Sequence, residues 1–343
     1  MDHPARVGKY QVDRFLGGGM AHVYRATDTV LGRKVALKIL TEAGAADAEA
    51  KARFLQEARL ASNISHENII AVYDFGEDQG RPFIVMELLE GESLRSAIKN
   101  GRVGDFSRRM RIALQVGRAL DYIHSKKIVH RDVKPENIHL DAAGKVKLMD
   151  FGIAKPEGMA LTKAGYTLGT PYYMAPEQVL GRSMTPQADV YSYGLMLFEL
   201  LSGKRAIEGD KVEQIFEQII HRPVDMDPLR ALHLPKLLVD LIERCTLKQV
   251  AQRPAGLGVV CDEIEQIMGL PPSRQPDLSS RPVVEVHSRT ITARIPTMGG
   301  LPAFLQRLPA TFRTQTALML MAGAAVAALV TIVYVTLVLT HVL

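Results

Sequence analysis

The chain has 343 residues, 47% of them apolar and 23% charged, which is enough for two lobes with their own cores and too apolar for a chain dominated by disorder. The net charge of +5 is unevenly spread: between residues 269 and 315 six arginines stand against Asp277 and Glu285, a local balance of +4. The basicity therefore belongs to that stretch and not to a nucleic-acid-binding face, and no nucleic-acid partner is expected. Cys245 and Cys261 have no metal-ligand spacing and are too few for a disulfide framework, so they read as buried thiols in a reducing compartment.

In chain order, "MDHPARVGKY" lacks the apolar core of a secretion signal, so the N-terminus is expected in the cytosol. From Tyr10 to about Met86, the runs "YQVDRFL", "HVYRAT", "KVALKIL" and "PFIVMELL" alternate or are β-branched between Gly and Asp turns, and they predict strands. Between the first two, "DRFLGGGMAHVYRA" holds Gly17, Gly18 and Gly19. Taken alone, this segment fits a plain hairpin turn as well as a loop whose N–H groups approach an anion. One helix interrupts the strands: in "AEAKARFLQEARLASNI", Phe54, Ala58 and Ala61 recur at helical spacing. Beyond Gly91 the texture turns helical, in "SRRMRIALQVGRALDYIHS" and "ADVYSYGLMLFELLSG".

The segment 269–313 is rich in Pro and Arg, lacks periodicity and reads as an extended linker. Residues 317–340, "ALMLMAGAAVAALVTIVYVTLVLT", carry no charge and exceed the roughly 20 apolar residues that cross a bilayer as a helix. Arg307 and Arg313 on its N-terminal side place that side in the cytoplasm, next to anionic lipid. The span is expected to act as a single-pass anchor in the cytoplasmic membrane. Gly323 with Ala327, and Ala324 with Ala328, give the small-xxx-small spacing that packs two such helices as a homodimer.

Four strings recur in a fixed order. "VALK" sets Lys38 on a strand just after the glycines; "HRDVKPEN" sets Asp132, Lys134 and Asn137 in one turn; "DFG" begins at Asp150; "APE" ends at Glu177. Their order and spacing resemble the protein kinase family, specifically the eukaryotic-like Ser/Thr kinases of bacteria, over residues 10–268. The resemblance implies an α+β, bilobal fold, with a small β-rich lobe over about 10–86 containing one key helix and a larger, mostly helical lobe over about 91–268. It implies ATP as co-substrate, Mg²⁺ (or Mn²⁺) as metal, and serine or threonine hydroxyls of proteins as acceptors.

By the same resemblance, Lys38 holds the α- and β-phosphates and Glu57 pairs with it, while Asp132 orients or deprotonates the acceptor hydroxyl. Lys134 reaches the γ-phosphate, and Asn137 and Asp150 supply hard oxygen ligands to the metal. Adenine sits against the backbone of Glu87 and Leu89, with Met86 behind it and Val23 and Ala36 above. Leu16, Gly17, Gly18 and Gly19 form the phosphate lid. Arg131 answers a phosphate on Thr162 or Thr167. Thr170 bonds the catalytic turn, Glu177 and Arg253 form a buried ion pair, and Asp189 braces the catalytic turn.

Two departures from the family pattern stand out. His139 takes the place of an aliphatic side chain below the adenine. The lid is one residue short between Tyr10 and Val23, so no register aligns all three glycines, and a raised KM for ATP is expected. Two rivals compete with an active kinase: a pseudokinase acting as a membrane-attached scaffold, which the complete set Lys38, Asp132, Asn137 and Asp150 argues against, and a small-molecule kinase, which "GTPYYMAPE" argues against.

Overall fold

A strand turns successive side chains to opposite faces, and "KVALKIL", packed on both, uses that rule to serve two purposes at once. The computed structural model of the chain describes residues 4–150 and 171–271, all within one unit, Met1–Gln275. Strands β1 (Arg6–Val7), β2 (Tyr10–Gly18), β3 (Ala21–Asp28) and β4 (Lys34–Leu40) are followed by helices α1 (Glu42–Ala46) and α2 (Ala48–Ser62), then β5 (Val72–Asp78) and β6 (Arg81–Met86). The strands form one antiparallel sheet in the order β1-β2-β3-β4-β6-β5. On β4, Val35, Leu37 and Ile39 enter a cluster with Tyr10, Tyr24 and Phe83 on one face. Leu40, on the other face, packs with Phe54 and Ala58 of α2 and Ile84 of β6. Lys38 shares the face of Leu40, so alternation alone aims it at α2.

The helix expected over "AEAKARFLQEARLASNI" is observed as α2, and a short helix not expected, α1, precedes it. Asp47 ends α1 in an extended conformation (φ −85°, ψ 108°), and its carboxylate accepts the amides of Glu49 and Ala50 to start α2. Strand β5 escapes the sequence reading because "VYDFGED" carries three acids and is only half-buried. The run "PFIVMELL" ends as a strand at Met86, and Leu88 and Leu89 belong to the connector between the lobes.

The larger lobe begins with β7 (Glu92–Ser93), α3 (Leu94–Lys99) and α4 (Phe106–Ser125), followed by β8 (Ile138–Leu140) and β9 (Val146–Leu148), which pair with β7 as a small sheet. Then come α5 (Pro176–Val179), α6 (Pro186–Ser202), α7 (Val212–His221), α8 (Asp227–Arg230), α9 (Lys236–Cys245) and α10 (Leu257–Ile267). Helix α6 is buried around its whole circumference from Ala188 to Leu201, which makes it the axis of this lobe. Two glycines let its neighbours approach: a Cβ on Gly117 of α4 would lie 2.5 Å from the Cys261 sulfur, and one on Gly194 of α6 would lie 2.8 Å from Cys245. Both cysteines are free and buried, and burial pushes each thiol pKa up to about 12.

The expected two-lobed architecture is observed. Among the described residues no helix is long and apolar enough to cross a membrane. The linker and the span over 317–340 lie outside the described residues.

Candidate active site

Lys38 projects from β4 beneath the sheet, where its Nζ lies 3.1 Å from Glu57 Oε1 on α2 and 2.7 Å from Asp150 Oδ1. Burial works against the ammonium, but Asp150 and Glu57 more than compensate, and the Lys38 pKa is raised. Burial also pushes the Glu57 carboxyl up, with Lys38 opposing it. Asp150 holds left-handed backbone (φ 47°), as does Arg131 (φ 67°), a conformation uncommon outside glycine.

The turn from His130 to Asn137 brings a second group together. Lys134 Nζ lies 2.7 Å from Asp132 Oδ2, and Asn137 donates its amide nitrogen to the Asp132 carbonyl (2.9 Å) and carboxylate (2.7 Å). That donation turns the Asn137 amide oxygen away from Asp132. A 3₁₀ turn, Pro135–Asn137, holds the segment, and the Met149 amide donates to the Asn137 carbonyl at 2.8 Å, which ties Asp150's neighbour to the same turn.

The turn is braced from below. Asp189, 1% exposed on the first turn of α6, accepts the backbone amides of His130 (2.7 Å) and Arg131 (2.9 Å) and also contacts His124 Nε2 (2.7 Å). His130 is fully buried; its Nδ1 accepts the Asp132 amide, which leaves Nε2 to donate to the Met149 carbonyl at 3.1 Å. Burial holds its pKa below the usual imidazole value. Gln178 donates to the Arg131 carbonyl at 3.2 Å. Farther down, Arg253 grips Glu177 through both nitrogens at 2.7 and 2.9 Å, with Arg253 fully buried.

The glycine segment closes as a hairpin. Gly17 pairs with Val23 and Gly18 with His22, with a bulge between Phe15 and Gly17. Gly17 (φ 146°) and Gly18 (φ 136°) use backbone that L-residues rarely adopt, and a Cβ on Gly18 would fall 2.1 Å from the Ala21 carbonyl. Gly19 and Met20 form the bend, Leu16 is exposed and Val23 half-buried.

At the connector, Ala36 of β4 pairs with Met86 of β6, the Glu87 amide donates to the Ala71 carbonyl at 2.9 Å, and Leu89 is half-buried. His139 and Lys147 are cross-strand partners between buried neighbours on β8 and β9, so both turn away from the core. Lys147 reaches Glu87 Oε2 at 2.8 Å, which identifies that face as the floor below the connector. The His139 Nε2 is buried without a hydrogen-bond partner among the described residues, 3.1 Å from where a Cβ on Gly91 would stand.

The structure thus brings Lys38, Glu57 and Asp150 into one contact network and Asp132, Lys134 and Asn137 into another. Thr162, Thr167 and Thr170 lie outside the described residues. Sequence reasoning missed Lys147, whose only signal is a polar residue between Val146 and Leu148, and the bracing role of His130. It also missed Arg95, whose Nε meets Glu136 at 2.8 Å while its terminal nitrogens meet Glu199 and the Tyr173 hydroxyl; 104 residues separate Arg95 from Glu199, and no local pattern links them.

A family model described as the protein kinase domain matches residues 10–268. The serine/threonine-protein kinase PknA of Mycobacterium tuberculosis is 40% identical over 269 residues, covering 76% of this chain and 61% of PknA. PrkC of Bacillus subtilis, also a serine/threonine-protein kinase, is 40% identical over 210 residues, which is 61% of this chain and 32% of PrkC. The chain therefore spans less than two thirds of the length of these relatives. Among solved structures, the kinase domain of Mycobacterium tuberculosis PknI superposes with a TM-score of 0.62 at 27% identity, covering 77% of this chain and 97% of that one. With its two lobes, its paired Lys38 and Glu57 and a family model matched from strand β2 to the end of α10, the chain belongs to the protein kinase domain family.

Proposed function

We propose that the protein transfers the γ-phosphoryl group of ATP to serine and threonine hydroxyls of protein substrates. The observation that carries this reading is the junction at Asp150, where Lys38 of the small lobe meets the segment that leads back through Met149 to Asn137 and Asp132. Phosphoryl transfer asks the protein mainly to position groups and neutralise charge, and the two networks provide a cation for phosphate oxygens and a carboxylate for the acceptor hydroxyl.

Asn137 and Asp150 fit a divalent metal by their chemistry: a single amide oxygen and a single carboxylate suit Mg²⁺, which keeps water and phosphate oxygens for its remaining positions. Mg²⁺ bound there would draw negative charge off the transferring phosphate. Asp132, within 2.7 Å of Lys134, orients the hydroxyl and receives its proton as the phosphate departs from ADP, and Lys134 balances the charge beside it. Lys38, kept cationic by Glu57 and Asp150, holds the nucleotide phosphates under the glycine hairpin. Met86, Glu87, Leu89 and Ala36 frame the base.

Regulation and location complete the reading. Autophosphorylation falls on Thr162 or Thr167, with Arg131 as the phosphate partner, and the 317–340 helix tethers the enzyme to the cytoplasmic membrane, where pairing through Gly323 allows a homodimer. The serine/threonine class of PknA and PrkC supports the transfer to serine and threonine, while regulation and location rest on the sequence of 162–167 and 317–340 alone.

The test is incubation of the full chain with ATP, Mg²⁺ and a generic protein substrate, beside Asp132→Asn. Incorporation on serine and threonine that falls by about 10²–10⁴-fold in the variant is expected. Incorporation no higher than in Asp132→Asn would leave the pseudokinase scaffold. Loss of membrane association on deleting 317–340 tests the anchor, and crosslinking of Gly323→Ile tests the dimer.

A further inference from the structure

The bend of the glycine hairpin does not hang free. The carbonyl of Met20, at its tip, accepts two hydrogen bonds from one residue: the backbone amide of Thr41 at 3.1 Å and the Thr41 hydroxyl at 3.0 Å. The first merely extends the β3–β4 ladder by one step beyond the Ala21–Leu40 pair. The second is particular to this side chain. The same hydroxyl oxygen accepts the amide of Gly44 at 3.2 Å and so caps α1, while the Thr41 carbonyl accepts the Ala45 amide at 2.8 Å. One hydroxyl is donor to the lid and acceptor for the helix.

Packing follows the same path. Gly44 is buried, and a Cβ there would stand 3.3 Å from the Met20 carbonyl and 2.9 Å from the Leu40 side chain, so the tip of the hairpin rests on the first turn of α1. Ala21 at the foot of the hairpin and Ala45 of α1 both pack against the cluster of Leu40, Phe54, Ala58 and Ile84. That cluster seats α2, and Asp47, which ends α1, starts α2. Glu57 stands one residue before Ala58 on this helix, with its carboxylate on Lys38.

The hairpin's own ring contacts, Phe15 against His22 and Tyr24, lie on its two strands, whereas its bend, Gly19 and the exposed Met20, is reached from outside by the Thr41 bonds. The height of the bend is therefore open to the Thr41 hydroxyl. We propose that Thr41 is a positioning residue that fastens the glycine hairpin to the helix pair carrying Glu57, so that the height of the lid over the nucleotide and the seating of Glu57 against Lys38 are set by one hydroxyl. This rests on the reading of the cleft as an ATP site, and adds a coupling between lid and helix that a free-standing lid would lack.

The test uses the full chain with three variants. Thr41→Val keeps the backbone amide and the β-branched shape but removes both hydroxyl bonds; it should raise KM for ATP three- to tenfold while kcat changes less than twofold. Thr41→Ser keeps the hydroxyl and should return KM to within twofold of the parent. Gly44→Ala pushes on the Met20 carbonyl without touching the hydroxyl and should shift KM in the same direction as Thr41→Val. In parallel, amide hydrogen exchange followed by mass spectrometry should show faster exchange in Thr41→Val both in the peptide spanning Gly18 to His22 and in α2 around Glu57. This readout needs no catalysis, so it decides the coupling even if the parent chain transfers no phosphate, in which case the ATP reading fails alone. Parent-like KM and exchange in Thr41→Val, or equal defects in Thr41→Val and Thr41→Ser, would overturn the coupling.

Discussion

The two halves of the cleft are held by different kinds of force. On the small-lobe side, Lys38, Glu57 and Asp150 meet through charge: two ion pairs at 3.1 and 2.7 Å between side chains that stem from a strand, a helix and a turn. On the large-lobe side, the turn from His130 to Asn137 contains one ion pair, Lys134 with Asp132, but is held in place chiefly by backbone amides accepted by buried Asp189, by a buried imidazole and by side-chain bonds within the turn. The two pairs of Lys38 run between three separate elements, so one can lengthen while the other persists, whereas an unmet buried amide costs the full desolvation of that group. The comparison teaches that the turn of the large lobe is fixed by contacts to one buried helix, whereas the site of the small lobe is assembled from separate elements, the arrangement in which the proposed Thr41 tether would matter.

The comparison can be broken most severely in the large lobe. Arg253→Ala leaves Glu177 buried without its bidentate partner and should cost about 3–5 kcal/mol of stability, read as a lower denaturant midpoint, with activity falling only as the folded fraction falls. Lys38→Met should do the reverse: phosphate transfer falls by roughly 10²–10³-fold, about 3–4 kcal/mol of transition-state stabilisation, with the denaturant midpoint near that of the parent. A midpoint drop in Lys38→Met as large as that in Arg253→Ala would erase the distinction between the halves.

A finer test uses pH. The folded state holds His130 neutral because Nδ1 accepts the Asp132 amide and burial penalises the cation, so its folded pKa lies below the unfolded value of about 6.5. As pH falls below about 6.5 the unfolded chain takes up a proton that the folded one refuses, and stability must drop with falling pH, by at most about 1.4 kcal/mol per pH unit from this group. His130→Gln should flatten that slope between about pH 6.5 and 5, measured as denaturant midpoint against pH. An unchanged slope would show that the imidazole is not held neutral. The smallest effect concerns the lid: inserting one glycine between Gly17 and Gly18 should lower KM for ATP about two- to fivefold, measured by initial rates, with kcat and stability near parental. A higher KM would mean that the short hairpin is the better fit.

Much of this is legible in the sequence. The meeting of Lys38 with Glu57 is what the family resemblance implies, and it agrees with alternation in "KVALKIL", which puts Lys38 on the face of Leu40, and with the period of Phe54, Ala58 and Ala61, which turns α2 toward that face. The turn "HRDVKPEN" is compact enough that Asp132 and Asn137 can touch whatever the rest does. What could not be read are contacts between elements far apart in sequence that neither a periodicity nor the family resemblance marks: Arg95 against Glu199 and Lys147 against Glu87. Nor could the short α1, since "EAGAA" carries no helical periodicity and is capped by the Thr41 hydroxyl and ended by Asp47.

The two glycines that admit Cys245 and Cys261 against α6 and α4 have a practical consequence. These are the chain's two thiols, one at 0% and the other at 4% exposure, at the seams where α9 and α10 close on the central helices. An alkylating reagent can reach them only when those seams part. The rate of thiol labelling is thus a built-in clock for opening of the large lobe, blind to movements of the lid, and it can be run on the unaltered protein with and without nucleotide.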